Sequence, residues 1–322
     1  MRIQRSISAF AGLVAIAAAA LAASLAVSPA AAADVTLTDA GGRTVQISDA
    51  SRILAIGGDI TEIIYALGAD ARLVGVDATS QFPPTALQEK KNVGYMRALS
   101  TEGVISVGAT LIIASERAGP PEVVKALKTT SVAYVEVPDQ YSPLGVAAKV
   151  RLVARAVGAE AEGEKVVSQL EADFKALADG TRRIKQPVKA IFVLGVQNGR
   201  VSVAGQGTAA HAILELAGAK NVADAISGYK PLTDEAMIEL APEVILNMRR
   251  SSDKDNHDTK QLLEMKGVQM TPAGAAKRVI QMDALYLLGF GPRAPHAARD
   301  LMRQIYPEFG GEPAGAHTGA VK

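Results

Sequence analysis

Short apolar runs alternate with helical patterns along most of this chain, and this alternation limits the possible fold more than any other feature. Residues 52–56 form a buried-strand pattern that ends at two glycines and leads into a helical segment over about residues 61–67. Further strand patterns follow at residues 73–76, 110–114 and 133–137, with short helices between them. Because strands that are separated by helices pair in parallel, the pattern predicts an α/β fold with a mostly parallel sheet.

Two consecutive helical patterns divide the alternation into two halves. Ser142 followed by Pro143 is a strong helix start, and the first helix is predicted to run until Gly158 ends it. A second helix extends to about residue 184, after which strands and helices alternate again. We therefore predict two Rossmann-like lobes with mostly parallel sheets, joined by one long α-helix. The N-terminal lobe, the linker helix and the C-terminal lobe are predicted at residues 34–141, 142–158 and 159–309.

The two predicted sheets define where a ligand would bind. Open α/β sheets bind ligands outside the carboxyl ends of their strands. Two such lobes that face each other form a cleft, and we expect the ligand cleft between the lobes. The chain has 322 residues, of which 48% are hydrophobic, and this is sufficient for two modest cores.

The first 33 residues have the three parts of a secretory signal. Arg2 and Arg5 give a positive start, an apolar stretch follows over about residues 9–27, and residues 30–33 offer Ala-x-Ala spacing. We predict a signal peptide at residues 1–33 that is cleaved, and export to the periplasm. The alternative is an uncleaved membrane anchor, because the apolar stretch is nearly long enough to span a bilayer. The Gly-, Ala- and Pro-rich residues 310–322 are predicted to be a disordered tail.

Composition excludes several classes of function. The net charge is +1, only 4% of residues are aromatic and tryptophan is absent, so no surface suited to nucleic acid is expected. The absence of cysteine excludes a disulfide scaffold, thiolate metal sites and cysteine catalysis. A zinc or manganese importer would need several histidines in one cleft, but the four histidines lie in different segments. They are His211, His257, His296 and His317.

Enzyme motifs are absent, and the glycine-rich turns give weak signals. The chain has no Gly-x-Ser-x-Gly, Walker or His-Glu-x-x-His motif, and Gly205-x-Gly207 lacks the third glycine of a dinucleotide fingerprint. We therefore expect no catalysis. The turn at Gly57 and Gly58 predicts free N–H groups at a helix N-terminus, which suit a ligand carboxylate. An equal alternative is that Asp59 simply caps this helix.

The segment of residues 92–103 carries the most distinctive chemistry. It reads as a polar loop between two strand–helix units and contains Tyr95. In an extended loop Tyr95 and Arg97 share one side, and a guanidinium beside a phenol favours the phenolate. A phenolate is a hard anionic oxygen suited to ferric iron, and tyrosine is an axial ligand of haem in catalase. Ordinary packing of a loop tyrosine is the alternative.

Four stretches of the sequence carry a resemblance to a known family. They are residues 58–68, 93–103, 114–121 and 282–293. Together they resemble the periplasmic haem-binding proteins of bacterial haem ABC importers, and the resemblance covers essentially the whole mature chain. The order of elements is also similar to that of the wider group of helix-linked binding proteins for cobalamin and siderophores. The resemblance implies that haem is bound as the transported ligand.

The resemblance also implies roles for individual residues in haem binding. The tyrosine of the Gly-Tyr-x-Arg segment, Tyr95, corresponds to the iron ligand, and Arg97 would support its phenolate. Gly58 would contribute from the helix N-terminus. Arg249 or Arg250 would be the arginine that some members contribute from the second lobe. His211 is the available candidate for a second iron ligand, but five-coordinate iron with Tyr95 alone is the default expectation.

Two glutamates correspond to residues that dock onto the membrane permease in the wider group. Glu102 and Glu235 occupy matching places in the two lobes, and the alternative is that each is an ordinary carboxylate in a first helical turn. The resemblance implies a monomeric binding protein that delivers haem to an ABC permease with its ATPase, downstream of an outer-membrane haem receptor. Because bending a helix breaks its hydrogen bonds, a linker helix predicts a small closure of the lobes.

Three other interpretations remain open at this stage. A relative that binds an iron siderophore or a corrinoid would have a wider, more polar cleft and no essential tyrosine. An enzyme on the same two-lobed scaffold would need an activated nucleophile or clustered metal ligands. A membrane-anchored sensor would result if the N-terminal leader were retained.

Overall fold

The computed structural model describes residues 34–197, 199–249 and 257–309. The predicted signal peptide and the predicted disordered tail lie outside these residues. The described chain forms two α/β lobes, so the predicted fold class is confirmed.

The N-terminal lobe is built on a five-stranded sheet that is parallel throughout. A hairpin of β1 (Val35–Thr38) and β2 (Thr44–Ile47) precedes it. The sheet strands are β3 (Ile53–Ile56), β4 (Leu73–Val76), β5 (Lys91–Asn92), β6 (Leu111–Ser115) and β7 (Ala133–Val137). Their order in the sheet is β5-β4-β3-β6-β7. The helices are α1 (Gly58–Ala66), α2 (Thr85–Glu89), α3 (Thr101–Ile105) and α4 (Pro121–Leu127), with a 3₁₀ turn at Asp70–Arg72.

Two adjoining helices, α5 (Pro143–Ala156) and α6 (Glu160–Thr181), follow the first sheet. The predicted start of α5 is confirmed, because the Ser142 hydroxyl accepts a hydrogen bond from the Gly145 N–H at 3.0 Å. Helix α5 falls within the predicted linker and packs against β1, β7 and α1 of the N-terminal lobe. Helix α6 packs along α5 on one side and against helices of the C-terminal lobe on the other.

The C-terminal lobe is built on a mixed sheet. Its strands are β8 (Lys189–Gln197), β9 (Arg200–Ala204), β10 (Lys220–Asn221), β11 (Tyr229–Leu232), β12 (Val244–Arg249) and β13 (Val279–Asp283). The order is β11-β9-β8-β12-β13, with β10 paired to β8. Strand β9 is antiparallel to both of its neighbours, β8 and β11. Its direction relative to β8 follows from the connection of two residues between them, because a parallel crossover needs about a dozen.

Seven helices complete the C-terminal lobe within the described residues. They are α7 (Ala209–Leu216), α8 (Asp234–Leu240), α9 (His257–Glu264), α10 (Lys266–Gln269), α11 (Pro272–Ala275), α12 (Ala284–Leu288) and α13 (Ala294–Ile305). A 3₁₀ turn at Pro307–Phe309 follows. Met265 is extended and separates α9 from α10.

The apolar core is continuous through both lobes on the side of α5 and α6. One cluster joins Ile113 of the first sheet, Val150 of α5, Phe174 of α6 and Phe192 of the second sheet. Each sheet also packs a separate, smaller cluster on its other face. The helices α5 and α6 are therefore part of a shared core as well as a covalent connection.

Candidate functional site

The segments that follow the carboxyl ends of strands in the two lobes contact each other. Gly58, just after β3, lies so close to Leu285 of α12 that an added Cβ would be 2.8 Å from the leucine Cδ1. An added Cβ at Gly291, between α12 and α13, would lie 3.5 Å from the Asp59 Cα, which is ordinary contact. These contacts join the two lobes at the edge where open α/β sheets bind ligands, and they define the base of the expected cleft.

An ion pair between buried Glu62 and half-buried Arg293 joins the lobes at this base. The Nε and Nη2 of Arg293 donate hydrogen bonds to the two carboxylate oxygens of Glu62 at 2.9 and 2.8 Å. The guanidinium also stacks over the ring of Phe82, with its central carbon 3.6 Å from the ring centroid. A two-point pair with a stacked guanidinium fixes both position and angle between the segments.

The N-terminus of α1 differs from both sequence expectations. The N–H of Gly57 donates to Asp77 Oδ1, and the N–H of Gly58 donates to Thr79 Oγ1, both at 2.9 Å. The expectation of free N–H groups for a ligand carboxylate at Gly58 is therefore wrong, because side chains of the same lobe already accept these bonds. Asp59 does not cap the helix either, because its carboxylate pairs with Lys149.

A buried charge network lies behind the N-terminal side of the cleft. Lys149 of α5 is 1% exposed and pairs with Asp59 and with Asp139, the latter at 3.2 Å. Burial alone lowers the pKa of Lys149, but the charges of the two aspartates outweigh it, so the pKa is raised overall. Asp139 also pairs with Arg117 Nε at 2.7 Å and accepts the Tyr141 hydroxyl at 2.9 Å.

Tyr95 projects from a tight turn beside this network. Tyr95 is 47% exposed. The N–H of Ala98 donates to the Tyr95 carbonyl at 2.8 Å, so Tyr95 and Arg97 are the first and third residues of a β-turn. The prediction of an extended loop is wrong here. The alternation of side chains along a strand therefore does not apply to Tyr95 and Arg97. The predicted loop is also shorter, since α3 begins at Thr101.

A second exposed tyrosine, Tyr229, faces this region from the C-terminal lobe. It is 39% exposed and opens β11. Burial raises the pKa of Tyr229 overall, and the positive charges of Arg117 and Arg97 offset part of this shift. Because these arginines belong to the N-terminal lobe, Tyr229 lies within electrostatic reach across the cleft. The pKa of Tyr141 is raised too, mainly by burial, and the nearby Tyr229 makes the smallest contribution.

The sequence contained a signal for Tyr229 that our reading missed. Gly94-Tyr95 precedes Ser100-Thr-Glu102, and Gly228-Tyr229 precedes Thr233-Asp-Glu235. Each glycine has a positive φ, 92° and 71°, and each tyrosine comes six or seven residues before a glutamate in a first helical turn. The two lobes therefore repeat one local arrangement: a glycine turn, an exposed tyrosine, a hydroxyl N-cap and a glutamate.

Comparison with known proteins agrees with this two-lobed cleft. The sequence profile of the family described as periplasmic binding protein matches residues 53–286. The chain belongs to the periplasmic binding protein family. That family consists of substrate-binding proteins.

Solved structures of haem-binding members of the family are similar over the full length of those proteins. The periplasmic haem-binding protein RhuT from Roseiflexus sp. RS-1 is 38% identical, with a TM-score of 0.75 over 81% of this chain and 100% of that one. BhuT in complex with two haems is 36% identical, with a TM-score of 0.74 over 80% and 99%. The resemblance stated from the sequence is confirmed. An uncharacterised ABC transporter substrate-binding lipoprotein of Bacillus subtilis, YvrC, is 27% identical over 85% of this chain and 86% of its own.

The glutamates named from the resemblance occupy equivalent positions in this periplasmic binding protein. Glu102 is the second residue of α3, whose N-cap Ser100 accepts the Gly103 N–H, and Glu235 is the second residue of α8, whose N-cap is Thr233. Both side chains are exposed. Hydrogen bonds from its own backbone N–H and from Thr233 hold the pKa of Glu235 below its usual value.

The other candidate residues are placed less favourably. Arg249 is exposed at the end of β12, where its backbone pairs with that of Asp283, and Arg250 lies outside the described residues. His211 lies on α7, where its Nδ1 is 3.1 Å from Asn221 Nδ2 and its Nε2 is 3.4 Å from Glu215. Because both ring nitrogens have partners on this helical side of the lobe, His211 does not suit an iron ligand in the cleft.

Two other kinds of site are absent from residues 34–197, 199–249 and 257–309. No group of three or more acidic or histidine side chains is placed to hold a metal ion. No helix combines the length and apolar character that crossing a membrane requires.

Proposed function

We propose that this chain is a periplasmic substrate-binding protein that captures haem and delivers it to an ABC permease for import. The observation that carries the proposal is the pair of exposed tyrosines, Tyr95 and Tyr229, presented by the two lobes beside Arg97 and Arg117. Similarity to haem-binding proteins of the same architecture supports haem over other cargo. Haem suits such a site because a phenolate oxygen binds ferric iron, and the ring of the porphyrin needs two facing walls.

In the proposed complex, haem lies between the lobes with the Tyr95 oxygen on iron. Arg97, two residues further along the same turn, is proposed to place its positive charge near the cargo. Tyr229 approaches the cargo from the other lobe. It replaces His211 as the candidate for a second iron ligand. Arg249, at the end of β12, remains a candidate for contacts to the rim of the cargo, as does Arg250 from the sequence alone.

Titration of the purified mature protein with ferric haem tests this function. We expect saturable binding and a high-spin spectrum with a charge-transfer band in the red, which is typical of tyrosine on ferric iron. The Tyr95→Phe variant keeps the ring and loses the oxygen, so we expect weaker binding and loss of that band. Tyr65→Phe, a change in α1 at the end away from the cleft, is the matched control and should behave as wild type.

Two results would contradict the proposal separately. If the wild-type protein binds no haem, the cargo assignment fails. If Tyr95→Phe binds haem with an unchanged spectrum, the iron-ligand assignment fails while the cargo assignment stands. A parallel titration with Tyr229→Phe then identifies whether the second lobe supplies an oxygen to the same iron.

Delivery requires a membrane partner and export from the cytoplasm. We propose that Glu102 and Glu235 dock onto basic residues of the permease, one on each lobe, with its ATPase on the cytoplasmic side. Their support is exposure at equivalent helix positions in the two lobes. A cleaved signal at residues 1–33 and a periplasmic location complete the proposal, and the N-terminal sequence of the exported protein tests the cleavage site.

A further inference from the structure

The loop that carries Arg117 is hydrogen-bonded to the loop that carries Tyr95. The N–H of Gly119 donates to the Met96 carbonyl at 2.9 Å, and the N–H of Leu99 donates to the Gly119 carbonyl at 3.0 Å. Arg117 follows the carboxyl end of β6, and its side chain is 40% exposed. It therefore lies on the same wall of the cleft as Tyr95, and its charge reaches Tyr229 on the opposite wall.

The guanidinium of Arg117 is held in one orientation from two sides. Its Nε is 2.7 Å from Asp139 Oδ2, and its central carbon lies 5.1 Å from the centroid of the Tyr141 ring. Tyr141 in turn packs edge-on against Phe290 of the C-terminal lobe, with ring centroids 5.1 Å apart. No hydrogen bond joins the Nη atoms of Arg117 to any residue that the structure describes. The pair of Nη groups is the part of a guanidinium that binds a carboxylate at two points.

The support behind Arg117 is more than a surface ion pair requires. Asp139 is fixed from behind by Lys149, which is buried and also paired with Asp59. The Asp139 N–H donates to Glu116 Oε1 at 2.9 Å, which anchors its backbone as well. Burying a lysine is costly unless its charge is fully paired, and an exposed arginine pair by itself contributes little to stability. Such a framework is suited to presenting one cation at a fixed place in a cleft.

We propose that Arg117 binds a carboxylate of the transported ligand, and that Asp139 is the residue that positions Arg117 for this contact. The inference rests on the proposed function, because haem carries two propionate groups that can accept such a bond. Gly58 was the sequence candidate for this task, but its N–H is already bonded within the lobe. Arg117 supplies the contact instead through a pre-oriented side chain.

Comparing ferric haem with its dimethyl ester, in which both carboxylates are blocked, tests the proposal. We expect Arg117→Gln to lose affinity for haem by about tenfold or more, as for other hydrogen bonds to charged groups, and to keep its affinity for the ester. Asp139→Asn should also lower the ratio of haem affinity to ester affinity, as Arg117→Gln does. This ratio is measured within one variant, so a general loss of folded protein does not change it.

Arg43→Gln is the matched control. Arg43 also pairs with an aspartate, Asp39, and lies over a tyrosine, Tyr134, but at the β1–β2 hairpin. The Arg43→Gln variant should leave the affinities for haem and for its dimethyl ester unchanged. If Arg117→Gln keeps its affinity for haem, or loses affinity for haem and ester equally, the Arg117 proposal is overturned while haem binding stands. If wild type binds neither compound, the proposed function fails and this inference fails with it.

Discussion

At the scale of single residues, Lys149 shows how a buried charge is made tolerable. It lies within α5, surrounded by apolar side chains, and both of its carboxylate partners come from the N-terminal lobe. Removing the ammonium would leave Asp59 and Asp139 facing each other with little water to separate their charges. The lysine therefore holds together two segments, the start of α1 and the loop before α5, that line the cleft.

We predict that Lys149→Met lowers the free energy of unfolding by about 3–5 kcal/mol, because breaking a buried ion pair leaves uncompensated charge. Chemical denaturation of the purified protein measures this. Lys175→Met in α6 removes an exposed lysine whose partner is Asp179 and should change stability very little. Equal effects of the two substitutions would show that burial of Lys149 contributes nothing. Adding Asp59→Asn to Lys149→Met should recover part of the loss.

The sequence could not have identified this network. Asp59 and Lys149 are 90 residues apart, and nothing next to Lys149 distinguishes it from the exposed lysines of α6. Tyr95 was found because its neighbours matched a family pattern. Tyr229 was accessible through the repeated Gly-Tyr arrangement, but Pro231 stands where the first copy has Arg97, and this hid the repeat.

At the scale of elements, the packing of α5 against α6 depends on one glycine. An added Cβ at Gly163 would lie 2.5 Å from the Cβ of Ala154, far inside van der Waals contact. Ala154 Cβ is attached directly to the backbone of α5, so it cannot move aside without moving the helix. Gly163 thus sets how closely the two helices approach, and with them how the shared core is filled.

We predict that Gly163→Ala destabilises the protein by about 1–3 kcal/mol, as overpacking does in other cores. Gly180→Ala, in the same helix, is the control. Its Cβ would be 3.6 Å from the nearest atom, a methionine methyl group, which is ordinary contact. Alanine there should stabilise by about 0.5 kcal/mol through helix propensity. Thermal unfolding of both variants measures the difference, and stabilisation by both would contradict the close approach of α5 and α6.

At this scale, the sequence predicted an element correctly where its local signal was strong. The start of α5 was correct because Ser142 and Pro143 form an N-cap and a first helical position. Helix α3 was missed because it has five residues and one apolar turn, too short for a periodic pattern. The antiparallel position of β9 was missed because sheet order depends on long-range pairing rather than on the strand itself.

At the scale of the whole molecule, each lobe presents one exposed first-turn glutamate that we propose docks onto the permease. We predict that Glu102→Ala and Glu235→Ala each reduce stimulation of the permease ATPase in proteoliposomes about two- to fivefold, as surface ion pairs would. The double variant should lose more than either single variant. Haem affinity should stay unchanged in all three, because neither residue lies in the cleft. Glu122→Ala, an exposed first-turn glutamate of α4, is the control, and an equal loss there would contradict specific docking.

The motion of the lobes is limited by three connections that act together. The core around α5 and α6 is continuous with both sheets, Glu62 and Arg293 form a two-point pair at the base of the cleft, and Tyr141 packs on Phe290. A large hinge motion would open this close-packed core and leave Glu62 buried without its partner. Ligand binding is therefore expected to move loops such as that of Tyr95 more than whole lobes.

We predict that the radius of gyration of the protein does not change beyond experimental error when haem binds. Small-angle X-ray scattering of the ligand-free and haem-loaded protein measures this. Arg293→Lys keeps a positive charge but loses the two-point geometry and the stacking on Phe82, so it should loosen the base of the cleft. Hydrogen exchange should then increase at the start of α1 and between α12 and α13, with little change in β6 or β12. A clear decrease in the wild-type radius on binding would mean that the shared core permits closure.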